Sequence, residues 1–156
     1  MMTQCDINFL FLFKWQNIMC YKIDFQSMKE GEIKMTSALD VFFPVHHVNH
    51  YYVVCYNLKN SSIDILDNRA SERPIKNLYG QPLIVLQKHF VKYLQTQNHY
   101  KFGDISKLVP QRLKMRWQTK ENGIDCGVFA MRHMETYFGG GSRNWDAKFA
   151  PESVIF

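Results

Sequence analysis

Two runs of apolar and β-branched residues in the middle of the chain predict neighbouring β-strands. Residues 41–45 predict a short buried strand that ends near Pro44, and residues 51–58 predict a second strand. The sequence Lys-Asn-Ser-Ser at 59–62 favours a turn, after which residues 63–66 return to a strand pattern. The second and third strands are therefore expected to form an antiparallel hairpin.

Two later segments repeat apolar residues at steps of three and four, which predicts amphipathic helices. The first covers residues 82–97, with Pro82 in its first turn. Its repeating apolar side chains are Leu83, Leu86, Phe90 and Leu94. The second covers residues 126–138, and Gly139 supplies a stop. Strands followed by helices, with an antiparallel hairpin, indicate an α+β domain.

Composition agrees with one folded domain, because 156 residues can bury a core without a disulfide or metal. Apolar residues make up 46% and charged residues 21%, which excludes disorder for most of the chain. The net charge is +5, yet the basic residues are spread along the chain, so nucleic-acid binding is not favoured over an acidic protein partner. The longest apolar stretch, at 7–13, is too short to span a bilayer, and no membrane association is expected.

The four cysteines have no CxxC spacing, so the sequence predicts neither a zinc ribbon nor a redox motif. Cys55 lies inside an apolar run and is interpreted as a reduced, buried residue, which favours a nuclear or cytoplasmic location. His46, His47 and His50 resemble a metal cluster, but no neighbouring carboxylate or thiol completes it. We therefore expect His46 and His47 to face solvent, and predict no metal and no cofactor.

Cys126 stands at the expected start of the last helix, after the turn-prone pair Asn122-Gly123. A thiol at a helix N-terminus lies near the positive end of the helix dipole, which favours the reactive thiolate. The alternative is that Cys126 is simply the first core residue of that helix.

A cysteine nucleophile needs a histidine to take its proton and a group that orients the histidine. His50 precedes the second strand and Asp67 ends the third, so the open end of the hairpin can bring them together. Taken singly, His50 could be a surface histidine and Asp67 a turn-capping residue.

Three motifs in a fixed order resemble a known family. They are His50 before an aromatic residue, Asp67 seventeen residues later, and the run Asn-Gly-x-Asp-Cys-Gly-Val-Phe at 122–129. It is similar to the ubiquitin-like-protein-specific cysteine proteases, the ULP/SENP family that processes SUMO and its relatives. The run from Asp125 to Glu135 looks especially like plant and transposon-associated members.

The resemblance implies a papain-like α+β fold with a mixed sheet flanked by helices. It implies that His50 is the general base, Asp67 its orienting partner and Cys126 the nucleophile. The expected activity is cleavage after the C-terminal Gly-Gly of a ubiquitin-like modifier, free or in its protein conjugates. The residue after the histidine, usually Trp and here Tyr51, is implied to line the channel for that tail.

The sequence also departs from the family pattern before the cysteine and before the histidine. The oxyanion-hole glutamine of the family sits six residues before the cysteine, where this chain has Lys120, so Gln118 is the candidate donor. Only 49 residues precede His50. We therefore expect residues 1–36 to match the family poorly and residues 37–156 to form a partial catalytic domain.

The alternative function is a catalytically impaired protease-like remnant that acts as an interaction domain.

Overall fold

The computed structural model describes residues 40–120 and 125–149, which form four strands and four helices. The strands are β1 (Asp40–His47), β2 (His50–Asn57), β3 (Ser62–Leu66) and β4 (Gln111–Arg112). The helices are α1 (Ile75–Leu78), α2 (Gly80–Thr96), α3 (Phe102–Lys107) and α4 (Cys126–Thr136). The N-terminal segment expected at 1–36 lies outside the described residues.

The strands form one mixed sheet in the order β1-β2-β3-β4. The first three are antiparallel, whereas β3 and β4 pair in parallel. The predicted α+β class and the predicted β2–β3 hairpin are both confirmed. The strand expected to end near Pro44 instead continues to His47. In the described part of the sheet β1 pairs only with β2, and such an edge strand accommodates a proline that lacks an N–H donor.

A tight turn joins β1 to β2 and determines where β2 begins. His47 pairs with His50, which leaves only Val48 and Asn49 in the turn. Both turn residues have positive φ angles, 48° and 55°. This is the backbone of a type I′ hairpin turn, which usually contains Asn-Gly rather than a β-branched residue. The local sequence does not predict this hairpin, because valine is rare in that conformation.

Helices cover both faces of the sheet. On one face Tyr56 packs against Phe90 of α2, with ring centroids 4.6 Å apart. On the other face Val53 belongs to the same buried cluster as Phe129 of α4. Because both faces are buried, β2 has an almost continuous apolar sequence instead of alternating apolar and polar residues.

The two predicted helices are confirmed, with small differences at their ends. All four apolar residues predicted for α2 are buried, whereas α3 and β4 were not predicted because they are too short to show a period. None of the described helices combines the length and the hydropathy needed to cross a bilayer.

His133 of α4 lies in an aromatic cluster with Trp117 and Trp145. Its Nε2 accepts a hydrogen bond from the indole N–H of Trp117 at 2.9 Å. Burial lowers the pKa of His133 to about 4, against the opposing influence of the Asp67 charge. His133 is therefore neutral at pH 7 and joins the segment after β4 to α4.

Gly139, just after α4, lies against the start of β1, and its conformation suits only glycine. Its φ is 75°, and a Cβ atom there would collide with Asn57 Nδ2 and Asp40 Oδ1. These two groups are hydrogen-bonded at 2.8 Å, and Asn57 Nδ2 also donates to the Gly139 carbonyl.

We expect Gly139→Ala to lower the free energy of unfolding by about 2 kcal/mol, through backbone strain and a disrupted hydrogen bond. Gly140→Ala is the matched control, because a Cβ there meets nothing within 4 Å. Urea unfolding followed by circular dichroism measures both variants. Equal midpoints for the two would contradict the assigned role of Gly139.

Candidate active site

The β2–β3 hairpin brings His50 and Asp67 together. In this hairpin Val53 lies opposite Leu66. Continuing the register by one residue puts Asp67 opposite Tyr52, so His50 occupies the diagonal position on the same face, within reach of its side chain. His50 Nε2 and Asp67 Oδ1 are 2.7 Å apart. The predicted approach of these two side chains is therefore confirmed.

Each oxygen of the Asp67 carboxylate accepts two hydrogen bonds. Oδ1 accepts from the His50 ring at 2.7 Å and from the Arg69 backbone N–H at 2.9 Å. Oδ2 accepts from the Arg69 guanidinium at 3.2 Å and from the Tyr79 hydroxyl at 2.8 Å. The side chain has no exposed surface. Four donors on a buried carboxylate fix its orientation.

The charge of Asp67 follows from these contacts. Burial raises its pKa, but the hydrogen bonds from His50, Arg69 and Tyr79 and the charge of His50 outweigh burial, so the pKa lies below its usual range. Asp67 is therefore ionised at neutral pH and can only accept hydrogen bonds. The proton that it shares with His50 belongs to Nε2, which leaves Nδ1 of the neutral ring as the proton acceptor.

Cys126 is the first residue of α4, as predicted, and is largely buried with 6% of its surface exposed. The backbone N–H of Tyr51 donates to Cys126 Sγ at 3.5 Å. This contact places the thiol beside the residue that follows His50. The thiol lies at the N-terminus of α4, where the first N–H groups of the helix have no partner within the helix. Its role as nucleophile stays a prediction.

The ring of Tyr51 lies over the first turn of α4. It is 38% exposed, and a Cβ built on Gly127 would lie 3.8 Å from its Cδ2. The Tyr51 ring also lies against the ring of His46, with ring centroids 4.4 Å apart. His46 is exposed, as predicted, whereas His47 is half-buried. In the parts of the chain that the structure describes, no group of three or more His, Cys, Asp or Glu side chains could hold a metal ion.

The side-chain amide of Gln118, the candidate oxyanion-hole donor, is fully engaged in hydrogen bonds within the fold. Its Nε2 donates to the backbone carbonyls of Asp67 at 3.0 Å and Leu113 at 3.2 Å, and its Oε1 accepts from the Met115 backbone N–H. An amide has only two N–H donors, so none is left for an oxyanion in this arrangement. In this structure Gln118 holds the backbone at Asp67, and its role in an oxyanion hole stays a prediction.

The segment that contains Gln118 runs beside the residues that follow β3. The Thr119 backbone N–H donates to the Asn68 carbonyl at 2.9 Å, and the Ala70 N–H donates to the Thr119 carbonyl at 3.0 Å. Lys120, at the family's glutamine position, is exposed. The turn predicted at Asn122-Gly123 lies outside the described residues.

Sequence reasoning missed two partners of Asp67. Arg69 follows Asp67 by only two residues, and this short spacing alone was a weak indication that its guanidinium contacts the Asp67 carboxylate. Tyr79 is twelve residues beyond Asp67, just before α2, and nothing in its neighbourhood distinguishes it from a core aromatic residue.

Comparison with known proteins adds independent information. Residues 20–153 match the family model described as the Ulp1 protease family, C-terminal catalytic domain. Ubiquitin-like-specific protease 1A of Arabidopsis thaliana is 24% identical over 130 residues, which is 83% of this chain. The chain spans 24% of the length of that relative.

Solved structures show the same architecture. The SUMO protease Ulp1 with its catalytic cysteine oxidised to a sulfenic acid superposes with a TM-score of 0.55 at 16% identity, over 92% of this chain and 61% of that one. The C-terminal Ulp1 protease domain in complex with Smt3, the yeast ortholog of SUMO, gives 0.54 at 18% identity, over 93% and 60%. The likeness confirms the expected papain-like α+β fold.

Proposed function

The chain belongs to the Ulp1 protease family, and from this membership we propose that it is a cysteine peptidase acting through Cys126, His50 and Asp67. The observation that carries the proposal is the buried His50–Asp67 pair at 2.7 Å, together with the Cys126 thiol, which accepts a hydrogen bond from the backbone N–H of the residue after His50. Cys126 is the nucleophile, His50 the general base and Asp67 the group that orients His50.

In the proposed reaction His50 Nδ1 takes the Cys126 proton, giving a thiolate and an imidazolium. The sulfur attacks the scissile carbonyl carbon, and the C=O π electrons move to the oxygen. The oxyanion collapses, the C–N bond breaks, and the imidazolium gives its proton to the leaving amine. Water then attacks the thioester with His50 as base, which releases the carboxylate and restores the thiol.

The proposed substrate is the C-terminal Gly-Gly of a SUMO-like modifier, either as a precursor or in a conjugate with another protein. The family match and the SUMO named with the solved relatives support this choice. Tyr51, whose ring lies over Gly127, would line the channel that admits a tail without side chains. Such substrates occur in the nucleus and cytoplasm, where we propose that the chain acts.

The second candidate function is a catalytically impaired domain that still binds a modifier tail. The amide of Gln118, bonded to backbone carbonyls, favours it, because the oxyanion would then rely on the Cys126 backbone N–H. Loss of one oxyanion donor typically lowers turnover by about 100- to 1000-fold. Exposed Lys120 is a flexible point charge and a poorer preorganised donor than an amide.

A modifier tail that carries an electrophile at its C-terminal glycine tests the proposal. We expect the native chain to form a covalent adduct with a SUMO-tail probe of this kind. Cys126→Ala should form none. Cys55→Ala is the matched control, because Cys55 is a buried cysteine of the sheet and should leave labelling intact. Intact-protein mass spectrometry measures the adduct.

The outcomes separate the two candidates. Labelling together with cleavage of a Gly-Gly substrate supports the peptidase. Labelling or tail binding without turnover supports the impaired domain. A folded native chain that neither labels nor binds would refute both, and labelling that persists in Cys126→Ala would refute the assigned nucleophile.

A further inference from the structure

We propose that Tyr79 is a positioning residue that holds Asp67 in the orientation that His50 requires. The inference rests on the proposed function. Tyr79 lies outside the triad, and its hydroxyl donates to Asp67 Oδ2 at 2.8 Å, on the carboxylate oxygen opposite the one that His50 contacts.

The Tyr79 hydroxyl restricts the rotation of the Asp67 carboxylate. A carboxylate can rotate about its Cβ–Cγ bond, and His50 alone fixes only one of its two oxygens. Tyr79 fixes the second oxygen, so the carboxylate plane is defined and Oδ1 stays directed at His50 Nε2. Preorganised partners of this kind keep a catalytic base in the correct tautomer and orientation.

Tyr79 is better suited to this task than Arg69, the other donor to Oδ2. The Arg69 side chain is 34% exposed, so solvent competes with and screens its contact. Tyr79 has no exposed surface. Burial, and after it the charge of Asp67, raises the pKa of Tyr79 well above its usual range, so its hydroxyl carries its proton and can donate at neutral pH.

The position of Tyr79 in the fold is also rigid. It immediately precedes α2, and its ring packs against that of Tyr52 with centroids 4.8 Å apart. The hydroxyl is therefore carried by a packed aromatic side chain at the end of a long helix. The hydrogen bond connects α2 to the catalytic end of the hairpin.

Tyr79→Phe removes this hydroxyl and keeps the ring, and Tyr52→Phe is its matched control. Tyr52 is buried in the same cluster, and its hydroxyl has no hydrogen-bond partner among the described residues. We expect Tyr79→Phe to lower kcat for a SUMO-tail substrate by about tenfold with KM unchanged, as typical for an outer-shell partner. Tyr52→Phe should keep kcat within about twofold.

A measurement without substrate separates this inference from the proposed function. The His50 Nε2 proton, held in the bond to Asp67, should give a low-field proton resonance in NMR spectra. We expect the resonance to shift or broaden in Tyr79→Phe and to stay in place in Tyr52→Phe. If the native chain shows no turnover, the proposed function fails, and the resonance still decides the role of Tyr79. An unchanged resonance in Tyr79→Phe, or an equal change in both variants, overturns it.

Discussion

His50→Ala is expected to lower turnover of a SUMO-tail substrate by roughly 10⁴-fold or more, because it removes both the base for Cys126 and the acid for the leaving amine. The buried Asp67 carboxylate would keep its contacts to Arg69 and Tyr79. The fold should therefore survive, and the loss should appear in kcat rather than in protein yield.

His47→Ala is the matched control for this variant. His47 lies in β1 and pairs with His50 of β2 across the β1–β2 turn, yet it has no part in the proposed chemistry. We expect its turnover to stay within about threefold of the native value. Steady-state cleavage of a C-terminal fluorogenic tail measures all three proteins, with circular dichroism to verify folding. A folded His50→Ala protein that retains a tenth of native turnover would refute the assigned base.

The parts of the site that lie on the hairpin were predictable from sequence. Strand runs at 51–58 and 63–66 with a polar turn between them determine which ends meet, so the approach of His50 and Asp67 follows from local spacing. The start of α4 at Cys126 was predictable for a similar reason, because the apolar period begins there.

The remaining parts depend on contacts between distant segments. Gln118 was assigned from its distance to the cysteine along the chain, but its amide bonds to the carbonyls of Asp67 and Leu113. Neither contact has a sequence signal. Tyr79 reaches Asp67 only because α2 packs on the sheet, and a tyrosine in a core is indistinguishable by pattern from one that holds a carboxylate.

The end of β1 also depends on contacts between distant segments. A proline usually ends a strand, and this expectation ignores whether the strand lies at an edge of the sheet. Pro44 lies opposite Val53, and in the described part of the sheet β1 has no other neighbour. The topology of the sheet, which the local sequence does not contain, decides the length of the strand.

Asp67→Asn is expected to lower turnover by roughly 10³-fold and to reduce stability by about 3 kcal/mol at pH 7. All four partners of Asp67 donate to it, and an amide can accept only on its oxygen. If the Asn NH₂ faces His50, the ring must adopt the other tautomer and loses its base. If the NH₂ faces the Oδ2 side, it opposes the Arg69 guanidinium and leaves that charge without its partner.

The pH dependence of stability provides a second readout for Asp67→Asn. The pKa of Asp67 is lower in the folded state than its unfolded value of about 3.9. Its contribution to stability is therefore complete above that value and is lost as pH falls through the folded pKa. We expect the stability difference between the native chain and the variant, measured by urea unfolding, to shrink from pH 7 to pH 3. Because His50 pairs with Asp67, the comparison is made both in the native and in a His50→Ala background. An unchanged difference between pH 7 and pH 3 in both backgrounds would mean that the Asp67 charge does not contribute to folding.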